Sequence, residues 1–172
     1  MKKKIVQLFE QVQKIPYKVC KFDRELINPK IPYGDCRHKS ELLYNFFTKE
    51  GYEVKKIKVK FDWCDLPLPN NIITILKKSG TIFLHDSLLV KINNLWVNVD
   101  CTWNPELEKK GFPITKNWDG KKDTKQVTEG RLKFYQKEKF VPKIKLFREE
   151  VLKFAEELNK LNKLSIGCIE FE

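Results

Sequence analysis

Cys36, His85 and Asp100 are the side chains of this sequence that could together carry covalent chemistry. A thiol is a nucleophile once ionised, an imidazole can take up and return its proton, and a carboxylate behind the ring fixes the tautomer and supports the imidazolium. Each has a plainer role when alone: an inert buried thiol, a hydrogen-bonded strand histidine, a turn-forming aspartate at a strand end. The combination points to nucleophilic catalysis only if the elements of the fold bring the three together.

The elements around them are readable. Asp35 sits where a helix cap belongs, Leu42, Leu43, Phe46 and Phe47 form an apolar stripe, and Gly51 supplies a stop, so a helix begins at or next to Cys36. A thiol there meets aligned peptide dipoles and N–H groups that favour its thiolate. Residues 82–92 and 95–101 read as two strands joined at Asn93-Asn94, because asparagine tolerates the left-handed backbone of a two-residue hairpin turn. That turn opposes Ile92 to Leu95 and Ser87 to Asp100. His85 then shares a face with Ser87 and Asp100 and lies diagonal to Asp100, roughly 7–8 Å away along the backbone, which an imidazole and a carboxylate can bridge. Trp96 and Asn98 share this polar face; Leu88, Val90, Ile92, Leu95, Val97 and Val99 fill the opposite, core face.

Neighbouring groups compete less well. His38 is two residues beyond Cys36, which on a helix turns it about 200° around the axis and away from the thiol. Asp35 is the cap, and its negative charge opposes the thiolate. Cys101 follows Asp100 on a strand and faces the other way. If an acyl intermediate forms, the backbone N–H of Cys36 is one oxyanion donor, and Tyr17, Asn28 and Tyr33 upstream are equal candidates for the second.

The rest of the chain frames this centre. Ile5, Val6, Phe9 and Val12 recur at helical spacing over residues 3–14, and Pro16 ends the run. Residues 54–61 alternate, with Ile57, Val59 and Phe61 facing inward and an exposed face of Lys56, Lys58 and Lys60. Pro67 and Pro69 bar residues 62–70 from a central strand, and a short helix is expected over 71–78. Residues 103–127 are polar and turn-rich, the composition of a lid or substrate-binding loop. Within that segment, Trp103 and Trp118 are expected to anchor it to the core, with a groove wall as the other option. Residues 145–162 place Leu146, Val151, Leu152, Ala155, Leu158 and Leu161 on one broad face of a closing helix.

Gly34-Asp35-Cys36 opening a Leu-rich helix that stops at Gly51-Tyr52, then His85, then Trp96-Val97-Asn98-Val99-Asp100-Cys101-Thr102, resembles the transglutaminase-like family, within the wider papain-like cysteine enzymes. The resemblance covers about residues 31–104. It implies an α+β fold in which a helix carrying the nucleophile at its N-terminus packs on an antiparallel sheet supplying the histidine and aspartate, and it places Cys36, His85 and Asp100 at the triad positions. The chain departs from the family pattern at Asp86-Ser87, where a small residue and tryptophan are common, and at Cys101, where proline or alanine is common. The calcium sites of animal cross-linking enzymes are not recognisable, so no calcium requirement is carried over.

Composition bounds the alternatives. At 172 residues, with 41% apolar and 33% charged side chains and only 7 Gly and 8 Pro, the chain is expected to form one globular domain over residues 1–172, without repeats or linkers. No apolar run approaches the roughly 18 residues of a membrane span, and the basic start Met1-Lys2-Lys3-Lys4 does not lead into a signal-peptide core, so no membrane partner is expected. Five cysteines, an odd number without a CxxC pair, suit the reducing cytoplasm better than a disulfide framework. A metal centre would have to gather scattered ligands such as Cys36, Cys64 and Cys101, so neither a metal nor another cofactor is expected.

The net charge of +11 is concentrated outside the near-neutral residues 61–100. It consists mostly of lysine without aromatic interleaving, which allows weak binding of nucleic acid or an acidic polymer. Two functions follow. The first is cysteine-dependent acyl chemistry, hydrolysis or transfer through a thioester, on a peptide, protein or small amide. The second is a non-enzymatic basic binding module on the same fold.

Overall fold

A computed structural model describes residues 3–24, 27–137 and 139–166. The fold is α+β: a four-stranded antiparallel sheet with helices packed around it. Helix α1 (Lys4–Gln13) buries Ile5, Val6, Phe9 and Val12 against α2 (Cys36–Lys49), which presents Leu42, Leu43 and Phe47 to the same core. Both helices follow the expected 3.6-residue periodicity, and α2 ends before Gly51, whose φ of 83° provides the left-handed step.

Strands β1 (Val54–Asp62), β2 (Ile82–Ile92) and β3 (Leu95–Val99) form the body of the sheet. Asn93 and Asn94 adopt φ of 50° and 64°, as the hairpin requires, and Leu88 pairs with Val99, giving the expected register. Leu95 departs from expectation. It lies on the core face by alternation but is 69% exposed, because the hairpin tip reaches past the helices that cover Val97 and Val99. The sheet order is β3-β2-β1-β4, where β4 (Lys133–Gln136) is a short edge strand on β1 that the sequence did not announce.

The lysine face of β1 is not open to solvent. Lys56 is paired with Glu41 of α2 at 2.6 Å and Lys58 with Asp86 of β2 at 2.7 Å, and both are half-buried. The expected helix over 71–78 resolves into a four-residue α3 (Asn70–Ile73) and a 3₁₀ turn (Thr74–Leu76).

Residues 103–127 are no lid. Trp103, Leu107, Phe112, Ile114, Trp118 and Val127 are all buried. The two indoles anchor the segment: Trp103 Nε1 donates to Val127 O at 2.8 Å, Trp118 Nε1 donates to Lys122 O at 2.7 Å, and Trp118 packs on Phe9. The closing helix α4 (Arg148–Ile166) starts three residues later than expected. It seats Phe154 and Leu158 in a second core built on Trp63, Trp103 and Leu107 and also buries Ala155, while Leu146, outside the helix, and Leu152 are exposed. Cys168 lies outside the described residues. No helix among the described residues is long and apolar enough to cross a membrane.

Candidate active site

Cys36 is the first residue of α2 and is half-buried. Asp35 caps the helix by accepting from Arg37 N at 2.9 Å, as expected. Its charge is not left to oppose the thiolate. The Arg37 guanidinium lies on the carboxylate, with Nε 3.0 and 3.1 Å from its two oxygens, and His38 Nδ1 lies 3.0 Å from Oδ1. Burial pushes the Asp35 carboxyl up, but the bonds from His38 and Arg37 prevail and hold it down at about 2.

His38 is spent in this network. Its ring also meets Lys21 O at 3.2 Å and Cys20 Sγ at 3.8 Å, and it packs edge-on against Phe22, so it is turned away from the thiol as its spacing predicts. A Cβ on Gly34 would meet His38 Cβ at 2.7 Å; the turn into the helix is this close because residue 34 has no side chain.

His85 projects from β2 and is 2% exposed. Its Nε2 lies 2.7 Å from Asp100 Oδ2. Nδ1 is the other ring nitrogen, and the Cys36 sulfur lies near enough to act on the charge of the imidazole. Burial alone would push the His85 pKa down. The Asp100 carboxylate and the Cys36 sulfur overrule it and hold the ring protonated well above the ordinary histidine range. Burial likewise raises Asp100, but the His85 charge and bonds from His85 and Thr102 keep it below the ordinary carboxylate range. His85 and Asp100 are thus joined directly, and Cys36 is coupled to the ring through its charge.

Several residues that fix this arrangement escaped the sequence reading. Thr102 N donates to Asp100 Oδ1 at 2.9 Å, and Thr102 Oγ1 is 3.4 Å from His85 Nε2. Asp100 N donates to Thr124 Oγ1 at 2.7 Å, and Thr124 N donates to Asn98 O at 3.0 Å, so the segment after Trp103 returns along the outer edge of β3 and holds the aspartate. A separation of 24 residues leaves no sequence signal for this contact.

Lys39 is fully buried and donates to Gln13 O, Ile15 O and Thr102 O at 3.0, 2.8 and 2.7 Å, tying the end of α1 and the segment after Asp100 to α2. Burial lowers its pKa to about 8. Its position one turn before Leu42 and Leu43, on the apolar stripe, was the available clue. Cys101 faces away from Asp100 into the α1–α2 core, as expected, and burial pushes its thiol up to about 12.

The oxyanion candidates separate. Asn28 Oδ1 accepts from Lys30 N at 2.9 Å, Tyr33 lies 37% exposed beneath Lys18 Nζ, and Tyr17 is buried beside Gly34. Cys20, Asp35 and His38 place potential metal-ligand atoms within 4.8 Å of one another, a different set from the scattered cysteines considered above. The Arg37 guanidinium already neutralises the carboxylate of that group, so these residues fit a capping network better than a cation site. Beside the site, a cavity of about 120 Å³ is lined by both signs of charge, including Arg37, Lys56 and Lys58 against Glu41 and Asp86. No family model, curated protein or solved structure matches the chain.

Proposed function

We propose that the chain is a cysteine-dependent acyl enzyme of transglutaminase-like, papain-like build. The observation that carries this reading is the buried His85 imidazole bonded to the Asp100 carboxylate and coupled electrostatically to Cys36. A thiol on the first turn of a helix, beside an antiparallel hairpin bearing the histidine and the aspartate, supports the papain-like core.

The chemistry follows from this arrangement. The Cys36 sulfur attacks the carbonyl carbon of an amide or ester, and the carbonyl π electrons move to oxygen. Collapse of the tetrahedral adduct breaks the bond to the leaving amine or alcohol, which takes the His85 proton and leaves a thioester. Water, or an amine, gives a proton to His85 and attacks the thioester; the thiolate departs and the acid or new amide is released. Asp100 holds the ring by Nε2 throughout. Peptides, proteins and small amides are the substrate class, with hydrolysis favoured over transfer, and the free Cys20, Cys36, Cys64 and Cys101 suit a reducing cytoplasm.

The test is intact-mass analysis of wild type and Cys36→Ser after exposure to p-nitrophenyl acetate and iodoacetamide near neutral pH. One acetyl and one early carboxamidomethyl adduct, both mapping to Cys36 and both absent from the variant, are expected. Alkylation of Cys36 no faster than that of Cys20 or Cys64 would overturn the reading.

A further inference from the structure

We infer that the cavity beside Ser40 and Ser87 is a carboxylate subsite: the acyl substrate is an acidic one, whose free carboxylate sits there while its carbonyl faces Cys36. The inference rests on the acyl-enzyme reading for the reaction and goes beyond it by naming the chemical class of the substrate.

The cavity follows the seam between α2 and β2. Ser40 stands four residues after Cys36, which on a helix is the same face, with β-carbons about 5–6 Å apart. Ser87 stands two residues after His85 and shares its face of β2. Ser40 and Ser87 also line a tight crevice with Asp100 and Thr102, so one continuous wall runs from the His85–Asp100 pair to the cavity. An open volume of about 120 Å³ takes a group of a few heavy atoms, well below the roughly 300 Å³ at which pockets for whole ligands begin. A substituent of the substrate fits there, not the whole of it.

The charge of the lining sets what that substituent is. Arg24, Arg37, Lys56, Lys58 and Lys137 share the cavity with two acids, Glu41 and Asp86. Ion pairs occupy three of the five cations. Lys56 takes both oxygens of Glu41 at 2.8 and 2.6 Å, Lys58 takes Asp86 at 2.7 Å, and Arg37 is held on Asp35. Arg24 is left 3.5 Å from the carboxylate that Lys56 already fills, and its side chain is exposed. Lys137 is exposed and, among the described residues, has no carboxylate partner. Its backbone N–H donates to Lys56 O at 3.3 Å, which fixes the turn after β4 beside the cavity.

Two cations without a full counter-charge, next to two acids, suit a single negative charge. A dianionic phosphate would crowd Glu41 and Asp86, whereas a carboxylate accepts from a guanidinium and an ammonium together. Phe22 lines the same cavity, with its ring centroid 5.7 Å from the Arg37 guanidinium carbon, and offers an apolar wall to the carbon chain joining carboxylate and carbonyl.

Mono-p-nitrophenyl adipate and its neutral methyl ester test the assignment. In the labelling step the Cys36 thiolate bonds to the ester carbonyl carbon and p-nitrophenolate leaves. At fixed ionic strength the acid is expected to acylate wild-type Cys36 about tenfold faster than the methyl ester, the worth of one charge-assisted hydrogen bond. The double variant Arg24→Gln, Lys137→Gln should bring that ratio to about one. Lys116→Gln, exposed and outside the cavity, should leave it as in wild type. In a nitrogen-15 NMR titration, adipate should shift the backbone N–H signals of Ser40, Ser87 and Lys137 saturably in wild type and not in the double variant.

A wild-type ratio of about one, or a ratio that survives the double substitution, would overturn the subsite. Inorganic phosphate binding more tightly than adipate would overturn its assignment to a carboxylate. If neither ester acylates Cys36, the acyl-enzyme reading falls, and the adipate titration alone decides the site: saturable shifts uphold it and their absence removes it.

Discussion

His85 is a cation by virtue of its neighbours. A buried imidazole without a counter-charge would shed its proton, yet Asp100 at 2.7 Å and the Cys36 sulfur keep the ring charged. The folded pKa lies above the unfolded value, so this pair stabilises the protein fully below the ordinary histidine range and ceases to do so as the pH rises through the folded value. In a nitrogen-15 NMR titration, His85 should remain imidazolium through neutral pH, and Asp100→Asn should move its titration to lower pH. An unchanged midpoint in the variant would show that the carboxylate does not set the charge. The His85–Asp100 pairing was legible in the sequence because a two-residue turn fixes register and register fixes diagonal neighbours. Thr124 was not, since a hydroxyl contributed from a later loop follows no period, and Lys39 was hidden because its charge suggested solvent while its helical phase pointed to the core.

At the level of elements, α2 depends on the Asp35 cap for both its start and the placement of the thiol. Asp35 titrates at about 2 against 3.8 for an unperturbed group, so its contribution is present above the ordinary carboxylate range and is lost as the pH falls through about 2. Asp35→Ala should cost about 2 kcal/mol near pH 7 in denaturant unfolding, and the deficit should shrink as the pH approaches 2. A deficit independent of pH would refute the electrostatic account. The helices and the hairpin were readable because their apolar periods run over enough residues. The strand Lys133–Gln136 was not, because four residues carry no usable alternation and its pairing with β1 is a tertiary choice. The apolar face of the closing helix is broad and its edges are not fixed by sequence, so Leu152, placed on that face, is exposed while Phe154 is buried.

Across the described residues, part of the basic surplus is paired with carboxylates. Lys56, Lys58, Lys91, Lys116, Lys125 and Lys160 each hold a carboxylate partner, and the cavity beside the site is lined by both signs. Single-stranded polynucleotide should therefore bind only weakly, with a Kd above about 1 μM at physiological salt, and Cys36→Ala should not change it. Tight, steeply salt-dependent binding would favour the non-enzymatic module. The ties on Tyr17 reach across the chain, from Asn104 in the middle and Asn162 in the last helix. During synthesis the segment bearing Cys36 leaves the ribosome well before Asn162 does, so its surroundings are completed only after it has emerged. The backbone bridge between Tyr17 and Gly34 is thereby buttressed only once residues from the middle of the chain and from α4 are in place.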